Sequence, residues 1–142
     1  MFIGEYRHSI DNKNRVIIPS KFRDGLGDVF VLTKGLDNCL FIYPYAEWVV
    51  FEGKLRNLPL TNQSARKFAR FFLSGAVECN IDKQGRILIP SSLISYSDIM
   101  KDVYFIGMSD KIEIWGSAQW DAYNADEFDT NKLAEQMAEL GI

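Results

Sequence analysis

The sequence predicts a mixed α+β fold, mainly β with helices, made of two copies of one module about a pseudo-two-fold axis. Three observations carry this. Ile10–Ser20 (IDNKNRVIIPS) and Ile81–Ser91 (IDKQGRILIPS) share Ile, Asp, Arg, Ile, Pro and Ser at an offset of 71, and a repeat of this kind decides architecture before any other signal. The likeness continues at an offset of 72, where Val31, Gly35, Ile42, Ala46 and Trp48 match Val103, Gly107, Ile114, Ala118 and Trp120. Both copies consist of short β-branched stretches broken by turn residues, whereas the segment between them has helical periodicity.

Taken in order, residues 2–10 alternate as a strand does, and Arg15–Ile18 is a short strand stopped by Pro19. Val29–Leu32 and Leu40–Tyr43 are two further strands, joined through turn residues at Lys34–Asn38. The second copy repeats the order with Ala76–Ile81, Arg86–Ile89, Val103–Ile106 and Ile112–Trp115. Lys21-Phe22-Arg23 and the counterpart near Leu93 suit short helical turns. After Pro44, the residues Trp48, Phe51, Leu55 and Leu58 form one apolar helical stripe. Asn62 suits the cap of a second helix, with Phe68, Phe71 and Phe72 on one side and Arg66, Lys67 and Arg70 on another. Gly75 stands where a helix-ending glycine belongs. Thr130 suits the cap of a tail helix carrying Leu133, Met137 and Leu140. The expected divisions are residues 5–47 for the first repeat, 48–75 for the connecting helices, 76–119 for the second repeat and 120–142 for the tail.

A chain of 142 residues, 47% hydrophobic and 13% aromatic, is long enough for one real core. No apolar run approaches the roughly 18 residues needed to cross a bilayer. The N-terminus lacks a signal-peptide layout, and Cys39 and Cys79 form no CxxC. A cytoplasmic location with reduced, buried cysteines is the expectation. The net charge of −3 is unevenly spread. Residues 1–75 hold 11 Lys+Arg and 7 Asp+Glu, a net of +4, and residues 76–142 hold 5 and 12, a net of −7. Such a division is compatible with a localised basic face.

The repeated unit has a physical reading. An Asp side chain bonds to backbone N–H groups a few residues on and organises a turn. Asn14 and Gly85 occupy the same place in the two copies, and both residue types tolerate positive φ. Asp11–Arg15 and Asp82–Arg86 therefore read as tight turns feeding buried strands. On one reading the arginines only brace Asp11 and Asp82. On the other, the turns present cations: Arg7, Lys13, Arg15, Lys21 and Arg23 from the first copy, with Lys83 and Arg86 brought near by the two-fold axis. Cations on paired strand-turn elements suit a phosphate backbone, and arginine also bonds guanine in the major groove.

The duplicated D-x-[KQ]-[GN]-R-[IV]-x-[IV]-P unit resembles the SpoVT-AbrB domain. Met1-Phe2-Ile3-Gly4, Arg66-Lys67-Phe68-Ala69-Arg70 leading to Ser74-Gly75-Ala76, and Ile112-Glu113-Ile114-Trp115 narrow the likeness to the MraZ family. It covers nearly the whole chain up to about Asp121. The resemblance implies a pseudo-dimeric, swapped-hairpin, double-psi-like β-barrel with connecting helices, assembled into ring-shaped homo-oligomers. It also implies a nucleoid-associated transcriptional regulator of the bacterial division and cell-wall gene cluster, binding short repeats in double-stranded promoter DNA. Under it, Arg15, Lys13, Arg86, Lys83 and Arg7 contact DNA, and Asp11, Asn14, Asp82 and Gly85 organise the turns. Asn14 departs from the usual glycine, and Gln84 stands where the first copy has Lys13, so the first turn is expected to dominate.

An enzyme is a poor fit. His8 is the single histidine, and no P-loop, GxSxG or strand-borne GxGxxG is present. No metal, cofactor, membrane or small-molecule partner is expected, and His8 reads as a packed or surface side chain. The alternative function is an AbrB-type antitoxin-like or protein-interaction module using the tail helix. Arg66, Lys67 and Arg70 have two readings, a DNA face or an interface with acids of a neighbouring subunit, and the second is favoured because a ring joins unlike surfaces.

Overall fold

The computed structural model describes residues 1–125 and 129–142. Residues 126–128 of the predicted tail lie outside the described residues. The strands are β1 (Glu5–Ser9), β2 (Arg15–Ile17), β3 (Phe30–Lys34), β4 (Leu40–Pro44), β5 (Val77–Cys79), β6 (Arg86–Leu88), β7 (Asp102–Gly107) and β8 (Ile112–Gly116). The helices are α1 (Ser20–Leu26), α2 (Tyr45–Arg56), α3 (Gln63–Gly75), α4 (Ser91–Ser97), α5 (Ser117–Ala125) and α6 (Thr130–Glu139). The fold is mixed α+β, and every strand pair among the described residues is antiparallel.

Six strands form one sheet in the order β1-β7-β8-β4-β3-β5, and β2 and β6 form a separate two-stranded ribbon. The copies interleave. The first strand of the first copy, β1, pairs with β7 of the second, and β5 of the second pairs with β3 of the first. At the centre, Leu40 faces Ile114 and Ile42 faces Ile112 across β4–β8. Leu40 to Ile112 and Ile42 to Ile114 are both steps of 72, so this ladder is symmetric about Phe41 and Glu113.

The expected closed barrel is not what forms. Among the described residues, β1 and β5 are open edges of the sheet. The ribbon strands are three residues long, and one residue beyond each, Ile18 and Ile89, the chain meets Pro19 and Pro90. Proline offers no N–H to a further ladder, and α1 and α4 begin at the next residue. The ribbon therefore caps the sheet as a second layer instead of closing it.

Alternation along the strands makes two cores. Leu40, Ile42, Ile112 and Ile114 face a core shared with Val16, Ile18, Ile87 and Ile89 of the ribbon segments and with Phe22 and Leu93 of α1 and α4. Phe41, Tyr43 and Trp115 face the other way, under Trp48 and Phe51 of α2, Phe72 of α3 and Trp120 of α5. The order of layers is ribbon with short helices, sheet, then long helices. Cys39 and Cys79 are buried free thiols; burial raises both, Cys79 to about 11.

Several boundaries differ from the sequence reading. Lys34 pairs with Leu40 and Gly107 with Ile112. Lys34 to Gly107 is a step of 73, against 72 for Leu40 to Ile112. Phe30, not Val31, therefore stands where Val103 stands, and both are fully buried in the same core. The match of Val31 with Val103 is one residue out of register, and a one-residue slip turns a side chain to the other face. Helix α2 ends at Arg56, so Leu58 lies beyond its stripe. Asn62 does cap α3, its Oδ1 accepting from Ala65 N at 3.0 Å. Gly75 ends α3 without positive φ, and the Lys34 side chain lies against it, 2.9 Å from where a Cβ would stand. The cap of α6 is Asp129 rather than Thr130, its Oδ1 accepting from Asn131 N at 2.9 Å.

Candidate nucleic-acid interface

The two Asp-to-Arg turns are built alike. Asp11 Oδ1 accepts from the backbone N–H of Lys13 and of Arg15, both at 2.9 Å, and Oδ2 accepts from Arg15 Nε at 3.0 Å. Asp82 Oδ1 accepts from the N–H of Gln84 and of Arg86, both at 2.9 Å, and Oδ2 from Arg86 Nε at 2.9 Å. Each turn closes with two backbone bonds: Asp11 and Asp82 N–H donate to the arginine carbonyls at 2.8 and 2.9 Å, and Asn14 and Gly85 N–H donate to the aspartate carbonyls at 3.1 and 3.0 Å. Asn14 (φ 61°) and Gly85 (φ 80°) supply the left-handed residue. Both arginines thus brace their aspartates, but only through Nε. No hydrogen bond from either pair of terminal nitrogens is formed among the described residues, and those nitrogens are the ones a bidentate acceptor needs.

The carboxyls of Asp11 and Asp82 are held below the usual carboxylate range, first by the backbone N–H of Arg15 and Arg86 respectively. A carboxyl lowered in the folded state contributes stability above its unfolded value of about 3.9 and loses it as pH falls through the folded value. The turns should therefore stay clasped at mildly acidic pH and open only below about 3.9. An NMR acid titration of the Arg15 and Arg86 Nε–H signals checks this; loss of both near pH 6 would contradict it.

The ribbon places the turns symmetrically. Arg15 faces Leu88, Val16 faces Ile87 and Ile17 faces Arg86. Ile18 N–H donates to Gly85 O at 2.9 Å, and Ile89 N–H donates to Asn14 O at 2.8 Å. Val16 and Ile87 point into the core and are 1% exposed. Arg15, Ile17, Arg86 and Leu88 share the outer face, where each arginine stands opposite an aliphatic side chain. Lys13 and Lys83 are exposed at the turns.

One further cation at this ribbon lies outside the set expected to touch DNA. Arg23 donates from Nε to Ile18 O at 3.0 Å, and its guanidinium lies over the second turn. A Cβ on Gly85 would stand 2.7 Å from Arg23 Cζ. Its counterpart in the second copy, at the same offset of 71, is Ile94, which is neutral. The positive φ of Gly85, with the Arg23 guanidinium against it, favours glycine at this turn. The first copy lends the second turn a charge where Gln84 replaces lysine. The sequence shows Arg23 as a flanking cation but holds no signal for its approach across the copies. Gly85→Ala must adopt positive φ and displace Arg23. The expected cost is about 1–2 kcal/mol from the backbone, read as a lowered denaturation midpoint.

The remaining predicted residues lie elsewhere. Arg7 sits on β1 and bonds to Asp102 Oδ2 at 3.1 Å and to Tyr104 Oη at 3.4 Å. The Asp102 carboxylate and the neighbouring Tyr104 raise its pKa. Arg7 is thus committed to an ion pair on the sheet, away from the arginine ribbon. Arg66, Lys67 and Arg70 lie on α3, across the sheet from the ribbon, and Arg66 Nη1 donates to Leu60 O at 2.8 Å. His8 packs edge-on to Phe105 at 5.9 Å, and burial, then the charge of Arg23, lowers its pKa. Among the described residues no cluster of His, Cys, Asp and Glu could hold a metal ion, and no helix is long and apolar enough to cross a membrane.

Comparison with known proteins agrees with the duplication. A family model described as "MraZ protein, putative antitoxin-like" matches residues 1–71 and again residues 72–140. The chain is 59% identical over 142 residues to the transcriptional regulator MraZ of Clostridium acetobutylicum and to that of Clostridium tetani, covering 100% of both chains in each case. It is 57% identical over 143 residues to the transcriptional regulator MraZ of Acetivibrio thermocellus, again at full coverage. With both copies matched and full-length relatives at this identity, the chain belongs to the MraZ family.

Proposed function

We propose that this chain is a DNA-binding transcriptional regulator whose β2–β6 ribbon enters the major groove of promoter DNA. The observation that carries the reading is the pair of arginines held by Nε, with their terminal nitrogens uncommitted, on a symmetric antiparallel ribbon. Such a ribbon fits the groove, which is about 12 Å wide. Arg15 and Arg86 take the acceptor edges of bases, while Lys13, Lys83 and Arg23 meet phosphates. The relatives' printed names support regulation of transcription, and no part of the reading requires a cofactor or a catalytic residue.

The finer reading follows the family resemblance. The protein acts in the cytoplasm at the nucleoid on the division and cell-wall gene cluster, as a ring-shaped homo-oligomer spanning successive short repeats. Several subunits on one DNA raise the effective concentration of each further contact. Arg66, Lys67 and Arg70 of α3 suit the subunit interface, since they lie on the face remote from the ribbon. Footprinting on DNA upstream of the protein's own gene tests the assignment. Protection of spaced repeats supports it, and the absence of any salt-sensitive protection would overturn it. Light scattering on the pure protein tests the ring, which a strictly monomeric mass would refute. The antitoxin-like alternative has one specific observation in its favour. Helix α6 exposes Leu133 and Met137, with Leu140 exposed at its C-cap, an apolar stripe of the kind a protein partner would cover.

A further inference from the structure

We infer that Ile17 and Leu88 are base-reading residues that pack on thymine methyl groups in the major groove. The inference rests on the DNA-binding reading of the ribbon and extends it from charge to sequence discrimination. Ile17 and Leu88 are equivalent positions of the two copies, 71 apart, and each stands directly across the ribbon from the other copy's arginine. They are 41% and 59% exposed, while the residues between them and the arginines are buried on the opposite face. Isolated exposed aliphatics are ordinary on protein surfaces. Here, however, two large ones recur by symmetry at the centre of a face whose other members are cations.

The chemistry selects the occupant. A face bearing Arg15, Arg86 and the turn lysines attracts a polyanion, and only a polyanion with apolar groups on its recognition edge also rewards Ile17 and Leu88. Duplex DNA meets both demands, because thymine presents its C5-methyl in the major groove beside the base acceptors that arginine takes. The spacing agrees. Arg15 and Ile17 are two residues apart on one strand, about 6.7 Å, which is close to two base-pair steps of about 3.4 Å each. One strand can therefore set an arginine on one base and an aliphatic on a base two steps away, and the other strand repeats this in reverse.

The test uses the full-length protein and the DNA upstream of its own gene, synthesised once with thymine and once with deoxyuridine, which lacks the methyl. Affinities are measured at fixed salt for the wild type and for the Ile17→Ala/Leu88→Ala double variant. Each methyl engaged should be worth about fourfold, the value of one buried methylene. The wild type should therefore bind the thymine duplex roughly fifteenfold more tightly if both side chains engage one methyl each. The double variant should bind the thymine duplex more weakly and lose the preference for it. Equal binding of the two duplexes by the wild type overturns the inference. So does a double variant that keeps the preference, including one in which light scattering shows that the substitutions act on assembly. Failure of the wild type to bind either duplex would instead overturn the DNA-binding reading itself. Both positions are exposed, so the variant is expected to fold; an unchanged denaturation midpoint verifies it.

Discussion

Arg15→Ala and Arg86→Ala should each weaken binding to promoter DNA by about 1–3 kcal/mol per site, the worth of one bidentate base pairing. In a multivalent assembly the loss recurs in every subunit and is larger in total. The variants should stay folded. Asp11 and Asp82 keep their two backbone N–H partners without the guanidinium, so each turn survives the truncation. Arginine-to-lysine at either position should rescue little. Lysine keeps the charge but cannot be clasped at Nε while presenting two parallel donors. Gel shift at fixed salt, repeated across a salt series, separates the roles. Removing a side chain that reads a base alters the preference among sequences, whereas removing one that meets a phosphate mainly lowers the salt slope. Wild-type affinity in both alanine variants would sink the assignment.

The two losses should be similar. Charge counting on Lys13 and Gln84 favours the first turn. The bonded geometry of the two turns is the same, however, and Arg23 of the first copy lies against Gly85 of the second. A much smaller loss for Arg86→Ala would mean that Lys13 outweighs this borrowed cation.

Phe105→Ala should destabilise the chain by about 3–5 kcal/mol, the usual cost of removing a buried phenyl ring. That is a large share of the roughly 5–15 kcal/mol that holds a domain folded. Phe105 is fully buried on β7 of the second copy, pairs with Tyr6 of the first copy and touches His8 edge-on. Its loss would loosen the junction through which the copies interleave, not one copy alone. Urea denaturation at a single protein concentration reads this, since association adds to apparent stability. A loss under 1 kcal/mol would contradict the interleaved core.

The duplicated turn is legible in the sequence because its chemistry is local. Asp11 reaches residues two and four ahead, and Asn14 or Gly85 supplies the positive φ, all within five residues. The α3 cap at Asn62 is legible for the same reason. The location of Arg7 is not: its partner Asp102 is 95 residues away and becomes a neighbour only when β1 joins β7. Leu58 misleads because periodicity continues past the point where the helix stops, and the match of Val31 with Val103 misleads because identity does not report which face a side chain takes.

Near neighbours in the chain suffice for the duplication, the mixed α+β class, the two Asp-clasped arginine turns and the strands that follow them, and all of these can be read from the residues alone. Three features come only with the assembled fold: the sheet stays open under a separate ribbon, Arg23 covers Gly85, and Ile17 and Leu88 flank the arginines on one face. Those depend on how β2 and β6 pair across 71 residues. Strand register at that distance is set by burial on a shared core, a property of the folded whole rather than of any segment.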